Sequence, residues 1–146
     1  KMGGYIDFTA STLASEAAKD IGEAIKAGAP LERITLSSDA NGSFPKWNDT
    51  NEMIGIAAAS MKSLHKVLKA LVQGERLPLT AALRIVTTNV ANALELHESK
   101  GRLHGGYDAD ILLLDQDFNF DTVMARGQVL MQGGELKAED TITVDC

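Results

Sequence analysis

A chain of 146 residues, 45% apolar and 23% charged, is long enough for one ordinary core and too apolar for disorder. Its formal net charge is −6, with acids and bases interspersed and no basic stripe, which argues against nucleic acid as the main partner. No apolar run approaches the roughly 20 residues of a membrane span, so no membrane partner is expected.

The opening Lys1-Met2-Gly3-Gly4 runs straight into strand-like sequence and reads as a fragment boundary rather than a signal peptide. Tyr5–Ala10 (YIDFTA) is short, aromatic and β-branched, and predicts a strand. It ends at Ser11 and Thr12, both good helix N-caps. The helix that follows carries an apolar stripe at Leu13, Ala17, Ile21, Ala24 and Ile25, with Gly28 as its stop and Pro30 just beyond. Arg33–Ser38 (RITLSS) predicts a second strand, parallel to the first in a βαβ unit. After an acidic loop, a long helix is expected from about Glu52 to Val72, burying Ala57, Met61, Leu64, Leu68 and Leu71. Gly74 and Pro78 bracket a turn, and LTAALRIVTTNVANALEL is helical with a break at Thr87, Thr88 and Asn89.

At Gly101 the pattern turns β-like. GRLHGGYDADILLLD, TVMARGQVLMQGGEL and a last strand TITVDC are separated by Gly pairs and Asp/Asn turns. An α/β part over residues 1–98 and a β-rich part over 99–146 are therefore expected. Two parallel strands do not make a stable sheet alone, so both parts read as pieces of larger units. The single cysteine, Cys146, forms no internal disulfide, which fits a reducing, cytoplasmic setting.

The stretch ITLSSDANGS holds the residues of chemical interest. Asp39 ends a predicted parallel strand, the end at which α/β folds bind ligands and do chemistry. A carboxylate there serves as metal ligand, general base or both; alternatively it only caps the following turn. Asn41-Gly42 predicts a tight turn with backbone N–H groups free to meet an anion, and Ser43 offers a hydroxyl to a substrate. His65 is expected on a helix surface, His97 and His104 in turns. Asp108 and Asp110 are read as turn-shaping residues, and Trp47 as a lid, interface or substrate contact. No H-x-H, H-E-x-x-H or C-x-x-C occurs, so the chain does not assemble a zinc site by itself.

ITLSSDANGS, preceded by YIDFTAS and AGAPLERI, resembles the closing section of bacterial isoaspartyl (β-aspartyl) dipeptidases, metallo-dipeptidases of the amidohydrolase superfamily. TTNVANAL, KGRLHGGYDADILLLD and VMARGQVLMQGGE are similar to that superfamily's return from barrel to small domain, a pattern shared with dihydroorotases and hydantoinases. The resemblance implies an α/β fold: residues 1–98 as the last two βα units of a (β/α)8 TIM barrel, and 99–146 as strands of a small β-sandwich domain. It implies that Asp39 binds one metal of a two-zinc site and acts as catalytic acid/base, and that Ser43 contacts substrate; Asn41 and Gly42 beside it are expected to bind substrate too. Glycine is usual after this aspartate, where Ala40 stands, a residue that would be strained at positive φ. The other metal ligands are expected upstream of Lys1, so the chain alone is expected to be inactive. Its expected partners are a β-aspartyl dipeptide, the missing N-terminal part of the barrel, and further copies of itself in a homo-oligomer. Two other readings stand behind this one: an amidohydrolase acting on a cyclic amide, and a non-catalytic assembly domain in which Asp39 is only a turn residue.

Overall fold

A computed structural model describes residues 3–10 and 13–137. The opening Lys1-Met2, the expected caps Ser11 and Thr12, and the expected last strand with Cys146 lie outside the described residues. The chain divides into two compact units, Lys1–Leu94 and Glu95–Cys146.

In the first unit, strand β1 (Ile6–Thr9) pairs in parallel with β2 (Ile34–Ser37), in the register Ile6↔Ile34, Asp7↔Thr35, Phe8↔Leu36 and Thr9↔Ser37. Successive side chains alternate across a strand, so the pair has two unlike faces. Ile34 and Leu36 are buried, and Phe8 packs with them into the helical core. Asp7, Thr9, Thr35 and Ser37 belong to the opposite, polar face, where the Thr35 hydroxyl donates to Asp7 Oδ1 at 2.6 Å.

The connection between the strands is helix α1 (Ala14–Lys26), which buries Ala17, Ala18, Ile21 and Gly22 and half-buries Ile25. The predicted stripe is thus rotated slightly, and Leu13, at the N-cap position, is exposed. A short 3-10 turn, Leu31–Arg33, then feeds β2.

The predicted helix from Glu52 to Val72 is instead a hairpin followed by a shorter helix. Strand β3 (Ser43–Trp47) pairs antiparallel with β4 (Met53–Ala58), and helix α2 occupies Lys62–Gln73. The reversal is built by Asn48, whose Oδ1 accepts from the N–H of Thr50 at 3.0 Å and of Glu52 at 2.8 Å, while Asn51 takes a left-handed φ of 60°. Ala57 therefore lies on a strand and Met61 is exposed, whereas Leu68 and Leu71 are buried as expected and Leu64 packs beside them.

Helices α3 (Leu79–Val86) and α4 (Thr88–Ala93) meet at Thr87, which leaves helical geometry (φ −129°, ψ −89°) and donates its hydroxyl to the Leu83 carbonyl at 2.7 Å. Packing of α1 on α2, α2 on α3, and α3 and α4 on β2 closes the core over one face of the parallel pair. Among the described residues no helix is long and apolar enough to cross a membrane.

The second unit is a four-stranded antiparallel meander: β5 (Ile111–Leu114), β6 (Phe120–Ala125), β7 (Gln128–Gln132) and β8 (Glu135–Leu136) in that order. Arg126-Gly127 and Gly133-Gly134 form two-residue loops with φ of 48° and 80°, and 62° and 78°, the twist that suits tight hairpins. Ahead of the sheet, Lys100 Nζ donates to Asp108 at 2.7 Å and to Asp110 at 2.6 Å, and Asp110 also accepts from the Arg126 N–H at 2.8 Å. This cluster ties the loop before β5 to the β6–β7 turn, so the two acids shape a turn as expected.

The hydrogen bonds to Asp108 and Asp110 raise the Lys100 pKa, and those from Lys100 and Arg126 lower that of Asp110. A depressed carboxyl stabilises the fold above its unfolded pKa of about 3.9 and loses that contribution as pH falls through the folded value. A raised amine stabilises below about 10.4 and loses its contribution as pH rises through the folded value. Replacing Lys100 with Met is expected to flatten both limbs of the stability–pH curve, at the acid end and the alkaline end, as read by urea midpoints across pH. Unchanged limbs would show that the cluster does not stabilise the unit.

Candidate active site

Asp39 sits two residues beyond Ser37, the last residue of β2, at the carboxyl end of the parallel pair. Its backbone is left-handed (φ 46°), as is that of Asn41 (φ 66°), a conformation that Asp and Asn tolerate better than most residues. Ala40 is not among the positive-φ residues, so alanine fits there without strain.

The Asp39 side chain is exposed and held by two hydroxyls. Ser37 Oγ donates to Oδ1 at 3.0 Å, and Thr9 Oγ1, from the end of β1, donates to Oδ2 at 3.3 Å. A carboxylate has about four lone-pair sites, so each oxygen keeps capacity for a further partner. The arrangement can accept and release a proton, or donate an oxygen to a cation.

The loop that follows is tightly wound. Gly42 N–H donates to the Asp39 carbonyl at 2.9 Å, Asn41 N–H to the Ala59 carbonyl at 3.3 Å, and Ala59 N–H back to Gly42 at 2.8 Å. Asn41-Gly42 thus makes the predicted tight turn. Its N–H groups are not free for an anion, because they close the turn and tie it to the residue just after β4. A Cβ on Gly42 would lie 2.8 Å from the Asp39 carbonyl oxygen, so the turn needs glycine there. Ser43 opens β3, is exposed, and lines a shallow groove with Pro45, Trp47, Met53 and Ile56.

The model of the amidohydrolase family matches residues 8–130. The chain belongs to the amidohydrolase family. Among solved structures, it is similar to a β-aspartyl dipeptidase from the thermophilic, keratin-degrading Fervidobacterium islandicum AW-1 in complex with the β-Asp-Leu dipeptide. The identity is 33% and the TM-score 0.78, over 95% of this chain and 37% of that one. A second structure of that organism's β-aspartyl dipeptidase matches at 29% identity and TM-score 0.72, over 95% of this chain and 34% of that one. N-acetylglucosamine-6-phosphate deacetylase from Pasteurella multocida matches at 18% identity and TM-score 0.64, over 86% of this chain and 36% of that one, a likeness of fold alone. This amidohydrolase chain therefore spans little more than a third of the length of the structures it resembles.

Among the described residues no group of three or more His, Cys, Asp or Glu stands together to hold a metal. Asp39 offers one carboxylate to such a group. His65 is half-buried on α2 rather than fully at the surface. His104 contacts the Gly105 carbonyl at 2.8 Å and the Tyr107 ring edge-on, and His97 lies 3.3 Å from Glu98, all in the second unit. The hydroxyls of Thr9 and Ser37 were not singled out from the sequence. Strand alternation carries the signal, since Ser37 and Asp39 are two residues apart and Thr9 is the register partner of Ser37.

Proposed function

We propose that this chain is the C-terminal part of a β-aspartyl dipeptidase, a hydrolase that cleaves the β-linked amide of isoaspartyl dipeptides. In this reading residues 1–98 are the last two βα units of a (β/α)8 barrel and 99–146 belong to a small β-sandwich domain. The observation that carries it is the Asp39 carboxylate at the end of a parallel strand, in a chain 33% identical over 95% of its length to a β-aspartyl dipeptidase.

Asp39 is the acid/base: its carboxylate takes the proton of the attacking water and returns it to the departing amine. Ser43 offers its hydroxyl to the substrate from the root of β3, with Asn41 and Gly42 setting the loop between the two. Amidohydrolases are generally metal-dependent, and a bound metal supplies a water more acidic than bulk water. Asp39 would be one of its ligands, the others lying outside this chain, so the chain alone is inactive. Two zinc ions, homo-oligomeric assembly and a cytoplasmic setting belong to the same proposal.

The test is turnover of β-Asp-Leu against α-Asp-Leu by the full-length protein supplied with zinc. Selective cleavage of the β-linked peptide is expected. A folded, zinc-loaded protein that cleaves neither would overturn the dipeptidase reading and shift the substrate to a cyclic amide. Gly42→Ala is expected to cost about 1–3 kcal/mol of stability through overpacking, and to lower kcat because the Asp39 backbone must give way. An unaltered urea midpoint and kcat would show that the turn relaxes without moving Asp39.

A further inference from the structure

We infer that Thr9 and Ser37 are positioning residues that hold the Asp39 carboxylate in its working orientation, one hydroxyl on each oxygen. The inference rests on the reading of Asp39 as acid/base. Thr9 and Ser37 are register partners at the carboxyl ends of β1 and β2, on the polar face of the pair. Asp39 shares the alternation of Ser37, and its left-handed backbone accompanies a carboxylate directed at both strand ends. The Ser37 contact spans two residues, whereas the Thr9 contact spans 30.

Local turn chemistry accounts for the first of these contacts but not the second. The parallel pair does not depend on the second either, because the Ala10 N–H already donates to the Ser37 carbonyl at 2.8 Å at this end of the ladder. What the two hydroxyls add is control of one side chain. An ionised carboxylate only accepts, so both hydroxyls must turn their protons toward it, and the β-branched Thr9 is stiff at χ1. The carboxylate plane is thereby fixed by groups on two separate strands, while lone pairs on both oxygens remain open. A proton carrier displaced by about 1 Å can lose on the order of 100-fold in rate. The 3.3 Å contact of Thr9 is longer than the usual hydroxyl hydrogen bond, so Ser37 should be the stronger of the two holds.

The experiment measures kcat and KM for β-Asp-Leu in the full-length, zinc-supplied protein carrying Ser37→Ala, Thr9→Val, Thr9→Ser or Asp39→Asn, with urea midpoints and bound zinc for each. Ser37→Ala and Thr9→Val are expected to lower kcat by about 10- to 100-fold, with KM, bound zinc and folding midpoint nearly unchanged. Thr9→Ser, which keeps the hydroxyl, should recover most of the Thr9→Val loss. Normal kcat in Ser37→Ala and Thr9→Val beside an inactive Asp39→Asn would overturn the inference and leave Asp39 in place. A kcat loss that tracks a lower folding midpoint and is not recovered by Thr9→Ser would also overturn it, as a purely structural effect. Near-normal turnover by Asp39→Asn would remove the acid/base reading itself.

Discussion

Asp39→Asn in the full-length protein is expected to lower kcat for β-Asp-Leu by about 10²–10⁴-fold, the usual contribution of a positioned acid/base, while leaving the fold intact. The two consequences follow from one geometry. Asn has the same shape, and its amide can still meet the hydroxyls of Ser37 and Thr9, since a hydroxyl both donates and accepts. The position is exposed, so no buried group is orphaned and stability should change by no more than about 0.5 kcal/mol. What disappears is the ability to take a proton at working pH. KM should move little if the substrate's hold comes from other groups, Ser43 among them. Asp39→Glu makes the complementary test: it keeps the acid but carries it one methylene further from the hydroxyls, and a displacement of that order costs about 100-fold. If Asn turned over normally and Glu did not, Asp39 would matter for shape alone and the proton would travel by another group.

What the sequence reveals of this fold and what it hides divide along physical lines. The parallel pair and its helix were legible because their signals are local and agree: aromatic and β-branched strands, an apolar stripe at helical spacing, and a glycine stop. The hairpin of β3 and β4 was missed because Ala57, Ala58 and Ala59 favour helix, and Met61 and Leu64 continue a helical spacing. The contrary evidence was present in Asn48, Asp49, Thr50 and Asn51, a turn cluster between an aromatic run and Ile54-Gly55-Ile56, and the Asn48 side chain decides the matter. At the site, Asp39 stood out because an acid ending an apolar run is conspicuous. Its two hydroxyl partners did not, because serine and threonine at strand ends are ordinary until the register sets them beside a carboxylate. The expectation of free N–H groups at Asn41-Gly42 failed for a related reason: the Asn41 acceptor, on Ala59, is distant in sequence and reaches the loop only once the hairpin has formed, while the Gly42 N–H closes the turn on the Asp39 carbonyl.

The break between α3 and α4 was also legible, but not its purpose, which yields the largest expected effect on stability. Asn89 is fully buried, and its Nδ2 donates to the carbonyls of Leu31 and Ile34, each at 2.8 Å. It thus pins α4 to the 3-10 turn and the first residue of β2, the strand that leads to Asp39. Asn89→Leu removes both donors. An orphaned buried carbonyl costs about 1–3 kcal/mol, but Leu31 keeps a second bond from the Ile34 N–H, and Asn89 Oδ1 finds no partner among the described residues, so its removal offsets part of the loss. A net destabilisation of about 1–2 kcal/mol is expected on these terms. Asn89→Asp should be worse at neutral pH, because it sets an anion against two carbonyl oxygens in a buried site. Burial and those oxygens raise the pKa of the new carboxyl above its unfolded value. The folded state then binds the extra proton first, so the stability of the Asp variant must recover as pH falls. Urea midpoints at several pH values check both claims. An Asp variant as stable as the parent at neutral pH would mean that Asn89 does not hold those carbonyls, and that β2 is fixed by its apolar contacts alone.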